Sequence, residues 1–319
     1  MLLGKSIVVG LTLFLLYKAI FTAPDAFLSW GGILQEAVQS PLRYLFMLTA
    51  LLIPFNWGFE ARKWQLLGQK LEPISFLRAY RAVMVGLTLG FITPNRLGDY
   101  AGRVLELKSR QRLEAIGAIF IGRFCQLVAT VLAGSLGLLY FILAFAWVNY
   151  PGVTLSLLVL LLALCVIMLL LLYNAKAMVA VVAAIKPLRP FVPYLAIMGS
   201  YTSVEMTRLL WLSLGRYAIF LCQFILLLIL FNVQLSPLQY VSGVSGTFFL
   251  KSVVPSVSLL SDLGVRELSA MYLFGLLGQE RLQVLSASLS LWLLNIAVPS
   301  AIGLVFVLRM RLSRKGVAA

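Results

Sequence analysis

The sequence predicts an all-α, polytopic helical membrane protein with about six spanning helices and two re-entrant segments in an inverted repeat. Three observations carry this. Hydrophobic residues make up 61% of the 319 and charged residues only 12%, so a water-soluble globule would lack the polar surface to cover itself. Apolar runs long enough to cross a bilayer recur along the chain. Most of the 26 Lys and Arg residues gather in the connections between them, which sets an orientation.

Taken in order, the first run is Gly4 to Phe21. Lys5 precedes its apolar centre, but Lys18 and a poor cleavage site favour a retained helix over a signal peptide. The second is Leu42 to Phe59. After it, Ala82 to Gly102 is an apolar stretch broken by Thr93-Pro94-Asn95-Arg96-Leu97-Gly98-Asp99. Basic clusters flank it, with Arg62, Lys63, Lys70, Arg78 and Arg81 upstream and Arg103, Lys108, Arg110 and Arg112 downstream. A crossing here would put these clusters on opposite faces, and the uninterrupted part falls short of the roughly 20 residues a spanning helix needs. A hairpin that enters and returns satisfies both constraints.

Further crossings follow at Leu113 to Phe145, Val153 to Tyr173, Leu209 to Phe231 and Leu282 to Leu308. Between Lys176 and Met206, a short apolar run and Pro187, Pro190 and Pro193 predict an interfacial connector. A second broken segment carries Gly243-Val244-Ser245-Gly246-Thr247, Lys251, Pro255, a Ser-rich stretch and Asp262 to Glu267. Trp30, Trp57, Trp64, Trp147 and Tyr150 are expected near helix ends, where amphipathic rings prefer to sit. Residues 1–150 and 151–319 then each hold three crossings and one re-entrant segment, within one integral membrane domain. Three is odd, so the second half is inverted relative to the first. Both termini fall on the cytoplasmic side, and a prokaryotic cytoplasmic (inner) membrane is the expected location.

The chain has no histidine and three dispersed cysteines, Cys125, Cys165 and Cys222, so no disulfide framework, metal or other cofactor is expected. The net charge of +15 is spread over several connections rather than one face, which points to anionic lipid and not to nucleic acid.

Arg96, Arg123, Arg216 and Lys251 fall at depths where an ionised side chain costs about 2.5–3.5 kcal/mol on insertion scales. Asp99, Asp262, Arg266 and Glu267 sit at the polar breaks. These eight are the candidate substrate-binding residues. Pro94, Gly98, Pro255 and Gly264 are candidate hinges, though glycines here, including Gly86, Gly90, Gly102, Gly243 and Gly246, also suit close helix packing. In one reading Arg96 pairs with Asp99, and Arg266 with Glu267 or Asp262, merely neutralising a packed bundle. In the other, surplus guanidinium receives a phosphate: Arg123 and Arg216 have no acidic residue within a helical turn. Glu205 is expected to form a surface pair with Arg208.

At its two breaks the chain resembles the lysylphosphatidylglycerol synthase transmembrane-region family, a flippase-like domain. The matching residues are Thr93 to Asp99, Arg123, and Leu263-Gly264-Val265-Arg266-Glu267, with the likeness running from about Leu42 to Arg309. Two positions depart from the pattern: Pro255 is followed by serines where a Pro-x-Pro-Gly-Gly run is usual, and Gln126 stands where an acidic residue often follows the helix arginine. No aminoacyl-transferase domain is read before Ala319, so lysyl transfer is not expected. The resemblance implies movement of an anionic phospholipid or polyprenyl-phosphate lipid between leaflets. Two other classes stand beside it. One is a non-catalytic scaffold or subunit for a glycosyltransferase or lipid-modifying enzyme, and the other an intramembrane lipid-phosphate enzyme, disfavoured because no DxxD-like pair occurs among eleven acidic residues. Expected partners are anionic membrane lipids, such an enzyme, or a second copy of the chain.

Overall fold

The computed structural model describes residues 24–93, 96–108, 112–147, 150–253 and 264–309. The first predicted crossing, Pro94, Pro255 and Asp262 lie outside the described residues. Those described are all-helical, and five helices are long and apolar enough to span a bilayer: Pro41–Gly68, Ala115–Phe145, Pro151–Tyr173, Ser203–Leu230 and Arg281–Arg309. They correspond to the five later crossings read from hydropathy. The largest difference is at the second, which continues beyond Phe59 to Gly68.

In chain order the α-helices are α1 (Pro24–Gln39), α2 (Tyr44–Leu51), α3 (Ile53–Gly68), α4 (Phe76–Phe91), α5 (Leu97–Leu105), α6 (Ala115–Phe141), α7 (Pro151–Tyr173), α8 (Ala175–Ala184), α9 (Ser203–Leu230), α10 (Pro237–Val253), α11 (Val265–Leu276), α12 (Arg281–Trp292) and α13 (Val298–Arg309). A π-helical turn, Leu293–Ala297, joins α12 to α13 within the last span. The proline-bearing connector forms α8 and a 3-10 segment, Lys186–Ser200.

Helix ends follow local chemistry. Thr202 and Glu205 cap α9 reciprocally, with the Thr202 N–H donating to Glu205 Oε2 (2.8 Å) and the Glu205 N–H to Thr202 Oγ1 (3.3 Å). This folds Glu205 back over the helix start, where it pairs with Lys70 (2.8 Å) and not, as expected from spacing, with Arg208. At the other end Asn232 adopts φ 60°, and the Val233 N–H reaches the Leu228 carbonyl (3.0 Å), a left-handed stop for which asparagine is suited.

Two helix pairs flank the breaks read from sequence, α4 with α5 and α10 with α11. In the first, α4 and α5 pack antiparallel through Gly86 and Gly90 on one side and Gly98 and Gly102 on the other. A β-carbon on Gly102 would lie 2.5 Å from the Gly86 Cα, and one on Gly98 would lie 2.1 Å from the Leu89 carbonyl oxygen. Gly98 is thus a point of closest backbone approach inside α5. The Thr93 hydroxyl accepts the Gly98 N–H (2.7 Å) and so satisfies the start of α5. In the second unit α10 and α11 pack with Gly243 against the Phe274 ring. Gly264 opens α11 at φ 112°, a conformation that a side chain would strain, and its N–H donates to Glu267 Oε2 (2.8 Å).

Each of these pairs leans on a long span distant from it in sequence. Gly303 of α13 sits against the Met84 carbonyl, and the Thr88 hydroxyl of α4 donates to the Ser300 carbonyl (2.8 Å). Reciprocally, Gly134 and Gly137 of α6 meet Phe249, Ser245 and Ser242 of α10.

Among the described residues two large apolar cores result, beside a small cluster of Phe91, Trp292, Ile296 and Ala297. One gathers Trp64, Leu67, Leu87, Ile119, Cys125 and Leu209, and the other Phe224, Leu227, Phe274, Val284 and Leu291. The 28-residue α9 runs through both, and Arg216 lies near its middle, where one core gives way to the other.

Candidate functional site

Between the cores is a cavity of about 480 Å3. Of the eight predicted site residues, Arg96, Asp99, Arg123, Arg216, Lys251 and Arg266 line it. Glu267 stands one layer behind, bonded to Arg266 (2.5 Å). Trp57, Tyr217, Phe220 and Phe248 provide an aromatic wall.

Two further wall residues organise the charges, Glu60 and Arg103. Glu60, on α3, accepts from Lys63, Arg103 and Arg216, each at 2.9 Å. Asp99, on α5, accepts from Arg103 (3.0 Å) and Arg123 (2.5 Å). Arg103 therefore bridges the two carboxylates. Arg216 is held further by Asn56, whose Oδ1 accepts its Nε–H (3.0 Å), and by Trp57 and Phe220, whose ring centroids lie 4.9 and 5.4 Å from the guanidinium carbon. Asn56 in turn donates to Asn295 Oδ1 (2.8 Å) in the π-helical turn, and Trp57 Nε1–H donates to the Asn295 carbonyl (3.2 Å). A π-turn exposes backbone acceptors that a regular helix would keep for itself. A continuous chain of polar contacts thus runs from Asn295 through Asn56, Arg216, Glu60, Arg103 and Asp99 to Arg123.

Several expectations are corrected. Arg123 and Arg216 do have carboxylate partners, Asp99 and Glu60, supplied by other helices rather than by their own turn. Lys63 and Arg103, read as members of the flanking basic clusters, are 1% and 4% exposed and belong to the network. Trp57 and Trp64 are 3% and 1% exposed, packed on Arg216 and Arg103 instead of marking a membrane interface. Gln126, the neutral departure from the family pattern, accepts from Lys63 Nζ (3.0 Å) and donates to the Ser213 carbonyl (3.3 Å).

Arg96 opens α5 in the left-handed region, φ 57°. A non-glycine residue pays of order 1–2 kcal/mol for this, and such strain collects at functional sites. The Arg96 carbonyl faces Arg123 Nη2 (3.5 Å), and the Arg123 guanidinium lies over the Tyr100 ring (4.7 Å). The buried Nε of Arg123 has no hydrogen-bond partner, yet the side chain as a whole stays 32% exposed, so the cavity is not sealed. In the second unit, Arg266 donates to the Ser288 hydroxyl and carbonyl (both 2.9 Å) on α12. Among the described residues no group of three or more His, Cys, Asp or Glu side chains gathers to hold a metal.

The family model described as the lysylphosphatidylglycerol synthase TM region matches residues 2–316, nearly the whole chain. The chain belongs to this family. The match establishes it as an integral membrane protein of flippase-like type, in agreement with the five long apolar helices. No curated relative and no solved structure matches it.

The family membership fits the site's composition. Ion pairs shared between helices, with two carboxylates distributed over a larger number of cations, leave partial positive charge facing a cavity that can receive an anion.

Proposed function

We propose that this member of the family moves an anionic lipid between leaflets, with the headgroup in the cavity and the acyl chains left in the bilayer. The observation that carries the reading is the wall composition: six cations face the cavity against two carboxylates. Arg96, Arg123, Lys251 and Arg266 bind the phosphate. Arg216 and Arg103 hold the wall in shape through Glu60 and Asp99, and Glu267 orients Arg266. Trp57 and Phe220 confine the path on its apolar side.

The reciprocal packing of each broken unit on the opposite half supports an inverted repeat whose halves rock about the cavity. The 9 residues of α5 and the 12 of α11 are too short to span, which supports re-entrant placement for both units. The chain then sits in a prokaryotic cytoplasmic membrane with its basic connections inside.

Reconstitution tests this reading. Vesicles containing the purified protein and a panel of labelled anionic lipids should expose label on the far leaflet faster than protein-free vesicles. Rates equal to empty vesicles across the panel would reject it.

A further inference from the structure

The cavity carries more positive charge than one phosphodiester can meet. Its wall places six cations against two carboxylates, and the layer behind adds Lys63 and Glu267, which offset each other. The excess is four among the described residues. Asp262, the one other carboxylate in that stretch of sequence, would still leave three. Both wall carboxylates are heavily committed: Glu60 serves Lys63, Arg103 and Arg216, and Asp99 serves Arg103 and Arg123.

The cations are also distributed around the wall. Arg96 comes from the first break, Arg123 and Arg216 from the spans α6 and α9, and Lys251 and Arg266 from either side of the second break. A single anion would sit against one part of this wall and leave the cations of the other parts repelling one another across the cavity. Two phosphates within 480 Å3 would engage both broken units together.

We propose that the cavity is built for a lipid headgroup bearing two phosphates, in preference to one bearing a single phosphodiester. This rests on the reading of the cavity as a lipid headgroup site. The same chemistry is offered by a diphosphate-linked polyprenol and by a diphosphatidyl lipid.

Two measurements decide it. In reconstituted vesicles, labelled polyprenyl diphosphate and a labelled diphosphatidyl lipid are compared with labelled phosphatidylglycerol. At least one of the first two should cross about tenfold faster or more, since one added charge at close range is worth that much, and whichever does so identifies the source. Equal or slower crossing overturns this inference and leaves the transport reading standing.

In detergent, inorganic diphosphate and inorganic phosphate are titrated against thermal unfolding. Diphosphate should protect at about tenfold lower concentration. Equal protection, or none by either ion, overturns the inference. If no lipid moves at all, the transport reading fails and this binding comparison still decides the matter.

Two variants sharpen the result. Gln126→Glu places a carboxylate beside Lys63 and lowers the cavity's net charge by one, and Lys251→Gln does so from the other unit. Each should reduce the preference for diphosphate several-fold. An unchanged preference in both folded variants counts against the charge argument.

Discussion

Arg216 reaches Glu60 across 156 residues of sequence, Nη1 to Oε2 at 2.9 Å, joining the middle of α9 to α3 at the boundary between the two cores. Both side chains are largely buried, and Glu60 carries two more cations. The pair therefore sets the shape of the cavity wall.

Glu60→Gln leaves Lys63, Arg103 and Arg216 sharing a neutral amide. Removing one partner from a buried ion pair costs about 3–5 kcal/mol, so thermal unfolding in detergent should show a large loss of stability. Glu60→Asp keeps the charge and should lose much less. Equal stability of all three proteins would show that the network adds nothing to the fold.

Asn56 and Asn295 act on Arg216 together. Asn56→Ala strips a hydrogen bond from the Arg216 Nε and one from Asn295, at a cost of about 1–3 kcal/mol. Because the two amides share a bond, the double variant should cost less than the sum of the singles by about 0.5–3 kcal/mol. Additive losses in a double-mutant cycle would show that they act separately.

Arg96→Gly separates backbone from charge. Glycine adopts the left-handed conformation without strain, so the variant should fold with stability within about 1 kcal/mol of the parent, while lipid movement falls by about tenfold or more. A variant that transports normally would remove Arg96 from the binding set.

The glycine contacts differ in kind. Gly98→Ala forces a methyl group onto the Leu89 carbonyl and should destabilise by about 1–3 kcal/mol as α4 and α5 separate. Gly58→Ala, inside α3 with nothing within 4 Å, should stabilise by about 0.5–1 kcal/mol. Melting temperatures that move in the same direction for both would contradict the packing described.

The long spans were legible because hydropathy over 20 or more residues is set by the bilayer, whatever the tertiary contacts. The end of α4 before Thr93 and the start of α5 at Leu97 were legible as well, since Thr93 to Asp99 interrupts apolar sequence with charge and glycine. Glu60 was not. The predicted second crossing stops at Phe59, yet α3 continues to Gly68 with Glu60 and Lys63 turned inward. A Glu-x-x-Lys pair directly continuing an apolar run was the available signal.

No carboxylate lies within one helical turn of Arg123 or Arg216, and their partners are 24 and 156 residues away. One-dimensional spacing carries no information about contacts of that separation. The same holds for Asn56 and Asn295, which look unremarkable until two helices bring them together.

The clasp between α4 and α13 has a bearing on biogenesis. Thr88 finds Ser300 only after 212 further residues have been made. Chains leave the ribosome amino end first, so the glycine-lined pair of α4 and α5 must wait with one flank bare until α13 arrives. A nascent chain halted before Ser300 would already hold the wall residues and still lack the buttress that fixes them, so α13 completes assembly of the charged chamber.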